Sequence, residues 1–359
     1  MNILILGNGF DIAHGLNTKY TDFLNYCKNE DKYKHFCTTN IWMKHFLTRQ
    51  SELGDTWIDL ETEIYEVIKF IQTLPLIDQK NSKKVDEYIF RVPKNFFDFS
   101  LFNIKKFLRK PEYGDVYSKE GTTKDDNVYY YIENYINLVE LLHEHLRIFT
   151  KGFEMYLNQE TLSTDIKKYK FNLDTDCISL LNFNYTNTCE NLYKIKFNHC
   201  GCGIKTQSVY IHGKLGNDPN FCNLVFGTHS FFNYLPNDLN EEIPVEFNVF
   251  KKHNQRHRYQ TIESYQALLN ELKYPKKIYT ITFHVVGHSL DKTDHHILKH
   301  IFLAKEKSII NIYYHDEDSR ERLINNITKI IGEEEVLAKV RMIYQHDPSR
   351  GILIPIEDK

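Results

Sequence analysis

The chain has 359 residues, of which 42% are hydrophobic and 14% aromatic, so a disordered chain is excluded and a sizeable core is expected. This length fits two domains, or one core that carries a large insertion. The formal net charge of −3 at pH 7 excludes a general basic surface for nucleic acid or anionic membranes, but it leaves a local basic groove open.

The N-terminal sequence does not have the pattern of a signal peptide, because its apolar run has no basic flank and leads straight into residues 7–9. No apolar run approaches the roughly 20 residues needed to span a bilayer. The seven cysteines are odd in number and scattered. We therefore expect a cytoplasmic protein with reduced thiols and no membrane association.

The predicted elements begin with a strand and a helix. Residues 2–6 are continuously apolar, which is typical of a buried parallel strand, and a helix is predicted at residues 21–28. Helical periodicity then dominates between residues 31 and 174. From residue 177, strands and helices alternate, which predicts an α/β fold with a parallel sheet. We predict further strands at residues 177–183, 209–211, 224–226, 277–287, 309–314 and 340–344, and helices at 188–196, 262–272, 294–304 and 320–331.

The simplest architecture is a three-layer parallel-sheet core built from residues 1–30 and 175–359, with residues 31–174 as a large helical insertion. Ligands of open α/β sheets bind beyond the carboxyl ends of the strands. Small or polar residues follow the predicted strands at five places, which together indicate a ligand site. They are Gly7, Asn8, Gly9, Phe10 and Asp11; Asn184, Tyr185 and Thr186; His212 and Gly213; Gly227 and Thr228; and Gly287, His288 and Ser289.

The loop at residues 7–9 resembles part of a dinucleotide-binding fingerprint, but Ile12 replaces its third glycine. An ordinary dehydrogenase is therefore disfavoured. A glycine-rich turn before a helix still suits a phosphate group, through backbone N–H donors. The alternative is a tight turn with no ligand.

Two side chains are the strongest single candidates. The amide of Asn184 can hold a carboxamide or a water, and a neutral His212 can accept a proton near pH 7. The alternatives are that Asn184 caps the following helix and that His212 is a turn histidine with satisfied hydrogen bonds.

Other clusters carry weaker signals. Asp291 and Asp294 have the pattern of caps or turn residues. The basic stretch at residues 251–258 keeps a nucleic-acid surface open, with a solvated loop as the alternative. Four further residues lack the spacing of a zinc knuckle, so no metal is expected: His199, Cys200, Cys202 and Cys222.

Several blocks of sequence form a recognisable series along the chain. The longest covers residues 5–24 and contains G-N-G-F-D, and the others are residues 57–61, 181–186, 211–213 and 287–290 with Asp294. In this order they resemble the bacteriophage abortive-infection AbiH family. The resemblance covers nearly the whole chain. It implies an effector of phage defence that responds to an unidentified phage trigger, and it leaves a homo-oligomer open.

The order of these motifs is also similar to that of sirtuin-like domains that consume NAD. The similarity implies that residues 7–9 hold the cofactor phosphates and that Asn184 places the nicotinamide or a water. It implies that His212 is a base or a ribose contact and that residues 287–289 lie near the adenosine. The fold it implies is a sirtuin-like, Rossmann-like core.

Two departures from the sirtuin-like pattern matter. Thr186 stands where the related motif has Asp, and Asp11 is a candidate for the missing carboxylate. The paired C-x-x-C zinc module of sirtuins is absent, which disfavours a deacetylase. The prediction is a hydrolase that cleaves the nicotinamide–ribose bond of NAD or a related nucleotide, with Asn184, His212 and Asp11 as catalytic residues.

Alternatives from other classes remain open at this point. The same pocket could serve a nucleotide sensor without turnover, or the protein could be a nuclease or another nucleic-acid-binding effector. The insertion around Trp57, Asp59 and Glu61 is expected either to cover the site and exclude water or to pack as ordinary helices.

Overall fold

A computed structural model describes most of the chain. Residue 57, the zinc candidates at 199, 200 and 202, and the ends of two predicted strands, at 177 and 277–279, lie outside the described residues. The structure describes residues 1–54, 59–73, 91–92, 108–109, 130–132, 135–173, 178–195, 197, 206–216, 218, 221–228, 245–273 and 280–356.

The strands are short, as is usual for a globular domain. They are β1 (Asn2–Leu6), β2 (Arg91–Val92), β3 (Leu108–Arg109), β4 (Tyr130–Ile132), β5 (Tyr169–Phe171), β6 (Ile178–Asn182), β7 (Ser208–Tyr210), β8 (Ile281–Val286), β9 (Ser308–Tyr314), β10 (Val340–Tyr344) and β11 (Leu353–Pro355).

The helices range from one and a half turns to eight. They are α1 (Asn8–Ala13), α2 (Tyr20–Asn29), α3 (Lys34–Thr39), α4 (Ile41–Leu53), α5 (Leu60–Thr73), α6 (Tyr135–Ser163), α7 (Thr188–Tyr193), α8 (Lys252–Arg258), α9 (Thr261–Lys273), α10 (His295–Phe302), α11 (Glu317–Ile331) and α12 (Glu333–Lys339), with short 3₁₀ helices at Asp31–Tyr33, Val245–Phe250 and Lys292–Asp294.

Six strands form one sheet in the order β10-β9-β8-β1-β6-β7, and every pairing in it is parallel. Successive residues of β1 point to opposite faces: Ile3 and Ile5 join one hydrophobic cluster, whereas Leu4 and Leu6 join the other. Helices flank the sheet, and the strand order reverses at β1. The predicted α/β fold with a parallel sheet is thus confirmed.

One predicted strand is wrong. Residues 224–226 are buried but belong to no strand, and a side chain takes both backbone groups of Phe226. The backbone N–H of Phe226 donates to Oε1 of Gln255 (2.7 Å), and Nε2 of Gln255 donates to the Phe226 carbonyl (2.9 Å). An apolar run alone does not reveal which partner its backbone will take.

The chain divides into two compact units. The first comprises residues 1–19, 154–229 and 252–359 and contains the six-stranded sheet. The second comprises residues 20–153 and 230–251. The unit boundaries thus lie between residues 19 and 20 and between residues 153 and 154. The sequence analysis placed the helical insertion at residues 31–174.

The second unit is built around an aromatic core. Nε1 of Trp42 donates to the Leu142 carbonyl (2.8 Å), and the rings of Phe46 and Phe149 lie 5.1 Å apart, edge to face. Asp59 accepts a hydrogen bond from the Thr62 backbone N–H (3.0 Å), so its carboxylate caps α5. No helix within the described residues is long and apolar enough to cross a membrane.

Candidate functional site

The site lies in the first unit, where the loops that follow β1 and β8 meet at the reversal of strand order. A side chain on Gly7 would place its Cβ 2.4 Å from the His288 Cα, and one on Gly9 would lie 2.9 Å from the Gly287 Cα. Gly287 has φ +65°, and a Cβ there would lie 2.0 Å from the Phe10 nitrogen. The glycines therefore allow the two loops to pack backbone against backbone.

This packing engages backbone N–H groups that the sequence analysis expected to bind a phosphate. The N–H of Gly7 donates to the Val286 carbonyl (3.1 Å) and that of Gly9 to the Gly287 carbonyl (2.8 Å). The N–H of Phe10 donates to the Gly7 carbonyl (2.9 Å). These three N–H groups are therefore not available to a phosphate.

Asn184 ties the end of β6 to the first loop. Its Nδ2 donates to the Gly7 carbonyl (3.0 Å), and its backbone N–H donates to Oδ1 of Asn182 (2.9 Å). The N-cap residue of α7 is Asn187, so the alternative in which Asn184 caps this helix is wrong. Oδ1 of Asn184 takes no hydrogen bond within the described part of the chain, which leaves this acceptor for a ligand.

Asp11 is buried, with 1% exposure, beside the residues that follow β6. Its Oδ2 accepts a hydrogen bond from the Thr186 hydroxyl (2.6 Å), and the Thr188 hydroxyl donates to that of Thr186 (3.1 Å). Among the described residues its Oδ1 has no hydrogen-bond partner. Desolvation raises the pKa of Asp11 to about 6, although the two threonine hydroxyls oppose the rise.

His212 lies between a carboxylate and a guanidinium. Its Nε2 is 3.4 Å from Oδ1 of Asp294, and its Nδ1 is 3.5 Å from Nη2 of Arg256. Because Arg256 only donates, Nδ1 must be the acceptor and the ring proton must lie on Nε2, directed at Asp294. Burial lowers the pKa of His212 to about 3, and the charge of Lys252 adds to this effect, so the ring is neutral at pH 7.

His288 approaches the same carboxylate from the β8 loop. Its Nδ1 accepts a hydrogen bond from the Leu290 backbone N–H (2.9 Å), which places the ring proton on Nε2, 3.8 Å from Oδ2 of Asp294. The Phe183 ring packs edge to face on His288, with centroids 4.4 Å apart. Burial lowers the pKa of His288 below its ordinary value.

Asp294, which the sequence analysis interpreted as a cap or turn residue, lies at the centre of this cluster. It occupies the N-cap position of α10 but makes no cap hydrogen bond with its side chain, so the cap interpretation is wrong here. For Asp291 it is confirmed, since this carboxylate accepts from the Thr293 backbone N–H (3.3 Å). Burial opposes ionisation of Asp294, but its interaction with His212 and the charge of Lys252 hold its pKa well below the usual range.

Arg256 and Lys252 lie in the stretch that the sequence analysis interpreted as a nucleic-acid surface or a solvated loop. The stretch at residues 252–258 is the helix α8 and not a solvated loop, and it buries both Lys252 (2% exposed) and Arg256 (1% exposed). Nη2 of Arg256 lies 3.5 Å from Oδ1 of Asp294. These two cations therefore face the interior of the first unit, which argues against a nucleic-acid surface on this side of α8.

The other predicted contacts divide into packing and exposed groups. The Asn8 amide pairs with Thr18, and the Phe10 ring packs on His14 with centroids 4.3 Å apart. The Tyr185 hydroxyl donates to the Val225 carbonyl (3.3 Å). Gly213 has φ +85° and packs against Asn223. Thr228 is buried, and its backbone carbonyl accepts a hydrogen bond from the Lys252 backbone N–H (2.8 Å). The last two predicted contacts are Gly227 and the exposed Ser289.

A cavity of about 580 Å³ opens beside the two glycine loops and is also lined by residues of α11. Four predicted contacts line it: Gly9, Gly287, His288 and Ser289. Asn184, His212 and Asp11 are not among its lining residues, and the hydrogen-bond partners of Asp11 are threonine hydroxyls and neither of the other two. Within the described ranges, no group of three or more His, Cys, Asp or Glu side chains is placed to hold a metal ion.

Comparison with protein-family models identifies the family of the chain. A family model described as bacteriophage abortive infection AbiH matches residues 3–315, well over half of the chain. No curated protein matches the sequence. The family resemblance of the sequence motifs is thereby confirmed, and the chain belongs to the AbiH family, which implies a role in abortive infection, a defence against bacteriophage.

Proposed function

We propose that the chain is a phage-defence effector that binds a dinucleotide and hydrolyses NAD, or a related nucleotide, at the nicotinamide–ribose bond. The contact between Asp11 and Thr186 is the observation that carries the proposal. Thr186 replaces the acidic residue of the sirtuin-like motif, and the carboxylate of Asp11 lies 2.6 Å from its hydroxyl. The strand order, which reverses at β1, is that of doubly wound dinucleotide-binding sheets.

In the proposed reaction, water attacks the anomeric carbon of the ribose and the bond to nicotinamide breaks. The leaving nicotinamide takes the bonding electrons, and the sugar passes through a cationic state. An ionised Asp11 stabilises that charge and accepts the proton of the attacking water. Its pKa of about 6 suits a base near neutral pH, whereas that of His212, about 3, suits a ribose contact. Asn184 holds the nicotinamide amide or the water through its free Oδ1.

The test is nicotinamide release from NAD, measured by chromatography for the purified protein and for phage-infected cells that carry it. We expect Asp11→Asn to reduce release by about 10² to 10⁴ and to abolish protection, because it removes the base but keeps the shape. Asp318→Asn, at an exposed position of α11, is the matched control.

Two outcomes would contradict the proposal. Protection of infected cells with no fall in NAD and no released nicotinamide would exclude the hydrolase. Binding of NAD without turnover in both settings would favour a sensor that uses the same pocket. The Asp11 assignment fails if Asp11→Asn releases nicotinamide at the wild-type rate.

A further inference from the structure

The cavity beside the glycine loops has a polar lining that the proposed reaction does not use. Its volume, about 580 Å³, lies in the range of small-molecule sites. The charged and titratable groups that line it are Lys19, Asp291, His315 and Arg322, besides the buried His288 and Tyr313. The backbone N–H groups of Gly7, Gly9 and Phe10 are engaged within the protein, which leaves the side chains of the lining as the charged donors for an anionic ligand.

Arg322 is the side chain best placed for this task. It is exposed, lines the cavity from α11, and forms no hydrogen bond or ion pair within the described part of the chain. Asn326 lies one turn further on the same face of α11, and its Nδ2 donates to the Ser289 carbonyl (3.0 Å). This hydrogen bond fixes α11 to the loop after β8 and so holds Arg322 at the cavity. A guanidinium with unused donors matches a phosphate in charge and geometry.

Asp291 adds a negative charge to the lining, opposite to that of Arg322. Its Oδ1 accepts from the Thr293 backbone N–H (3.3 Å), and the carboxylate is exposed on the cavity wall. A carboxylate repels a phosphate but accepts hydrogen bonds from the hydroxyls of a sugar. A cavity with one guanidinium and one separate carboxylate therefore suits a ligand that carries both a phosphate and a ribose.

We propose that this cavity binds the ribose and phosphate of a ribonucleotide, with Arg322 as the phosphate contact and Asp291 as the ribose contact. The proposal rests on the nucleotide-binding function proposed above and assigns its recognition to side chains after β8 and on α11. It predicts selection of ribonucleotides over nucleosides and over nucleotides that lack ribose hydroxyls.

The experiment measures binding of ADP, adenosine and 2′,3′-dideoxy-ADP to the full chain by calorimetry. ADP has no nicotinamide bond, so binding is separated from hydrolysis. We expect Arg322→Gln to weaken ADP binding by about tenfold to a hundredfold, because a charged hydrogen-bond donor is lost, and to leave adenosine binding unchanged. Asp291→Asn keeps the cap on Thr293 and should remove the preference for ADP over its dideoxy analogue.

Arg320 provides a matched control on the same helix. It is also exposed, but its Nη1 bonds to Glu317 (3.0 Å) and its guanidinium lies over the Tyr314 ring, outside the cavity lining. Arg320→Gln should bind ADP like the wild type, and thermal melting should show all three variants folded.

Three results would overturn the inference: no ADP binding by the wild type, equal binding by Arg322→Gln, or an equal loss in Arg320→Gln. If NAD is cleaved while Arg322→Gln keeps wild-type ADP affinity, the inference fails and the hydrolase stands. If the expected ADP pattern appears without nicotinamide release, the inference stands and the hydrolase fails.

Discussion

Asp294 and Asp11 are both buried near the carboxyl edge of the same sheet, but their neighbours differ. Asp294 lies among His212, Arg256 and His288, whereas the carboxylate of Asp11 accepts its hydrogen bond, among the described residues, from a neutral threonine hydroxyl. The pKa of Asp294 is held well below its usual range, and that of Asp11 is raised to about 6. Burial is common to both, so the difference comes from the charges that accompany it.

This difference separates two kinds of role. A carboxylate that stays ionised at every physiological pH can hold and orient histidines but exchanges no protons. A carboxyl group with a pKa near 6 can take and release a proton near neutral pH. We therefore interpret Asp294 as a positioning residue for His212 and His288, and we place the proton transfer of the proposed reaction on Asp11.

The largest expected effect is on stability, and it comes from Asp294. Replacing it by alanine leaves Arg256 buried without this carboxylate, and breaking a buried ion pair in this way costs about 3 to 5 kcal/mol. Urea unfolding of Asp294→Ala at pH 7 measures the loss. Asp318→Ala, at an exposed position on α11, should change the free energy of unfolding by less than about 0.5 kcal/mol. If Asp294→Ala costs as little as this control, Asp294 is not an ionised partner of Arg256.

A smaller effect, of opposite dependence on pH, is expected from Asp11. Its folded-state pKa of about 6 lies above its ordinary value of 3.8, so the folded state binds the proton more tightly. The stability from this group is fully present below about pH 4 and is lost as the pH rises through 6. The loss amounts to about 3 kcal/mol. The stability contributed by Asp294 has the opposite dependence on pH. Because its folded-state pKa is low, this contribution is present at neutral pH and is lost only in strong acid.

Asp11→Asn isolates that contribution, since it keeps the side-chain shape and removes the titration. We expect the difference in unfolding free energy between wild type and Asp11→Asn to shift by about 2 to 3 kcal/mol between pH 4 and pH 7.5. Asp59→Asn, at an exposed helix cap, is the control for general pH effects. Parallel pH dependence of wild type and Asp11→Asn would show that Asp11 does not titrate in this range.

The sequence predicted much of the sheet, because continuous apolar runs are the signature of buried parallel strands. It could not predict residues 224–226 correctly, because the backbone of Phe226 bonds to the side chain of Gln255, which is distant in sequence. Asp294 was misread since a cap residue and a site carboxylate have the same local pattern. The sequence did contain one signal for this group. Lys252, Gln255 and Arg256 have the i, i+3, i+4 spacing of one helix face, and the structure buries all three.

A still smaller change in stability is expected from Thr186, and it makes Asp11 less like Asp294. Thr186→Val removes the hydroxyl that donates to Oδ2 of Asp11. Because this hydrogen bond favours the ionised carboxylate, its loss should cost about 1 to 2 kcal/mol at pH 8 and less at pH 5, and it should raise the pKa of Asp11 above 6. Urea unfolding at both pH values measures the cost.

The control for Thr186→Val is Thr328→Val, whose hydroxyl donates to the Ile324 carbonyl (2.8 Å), a group that does not titrate. The control should cost the same free energy at pH 5 and pH 8. An equally pH-independent cost for Thr186→Val would mean that Thr186 supports the fold without acting on the charge of Asp11. A cost that grows with pH would instead show that the threonine hydroxyls keep the pKa of Asp11 low enough for it to be ionised at pH 7, because desolvation alone acts in the opposite direction.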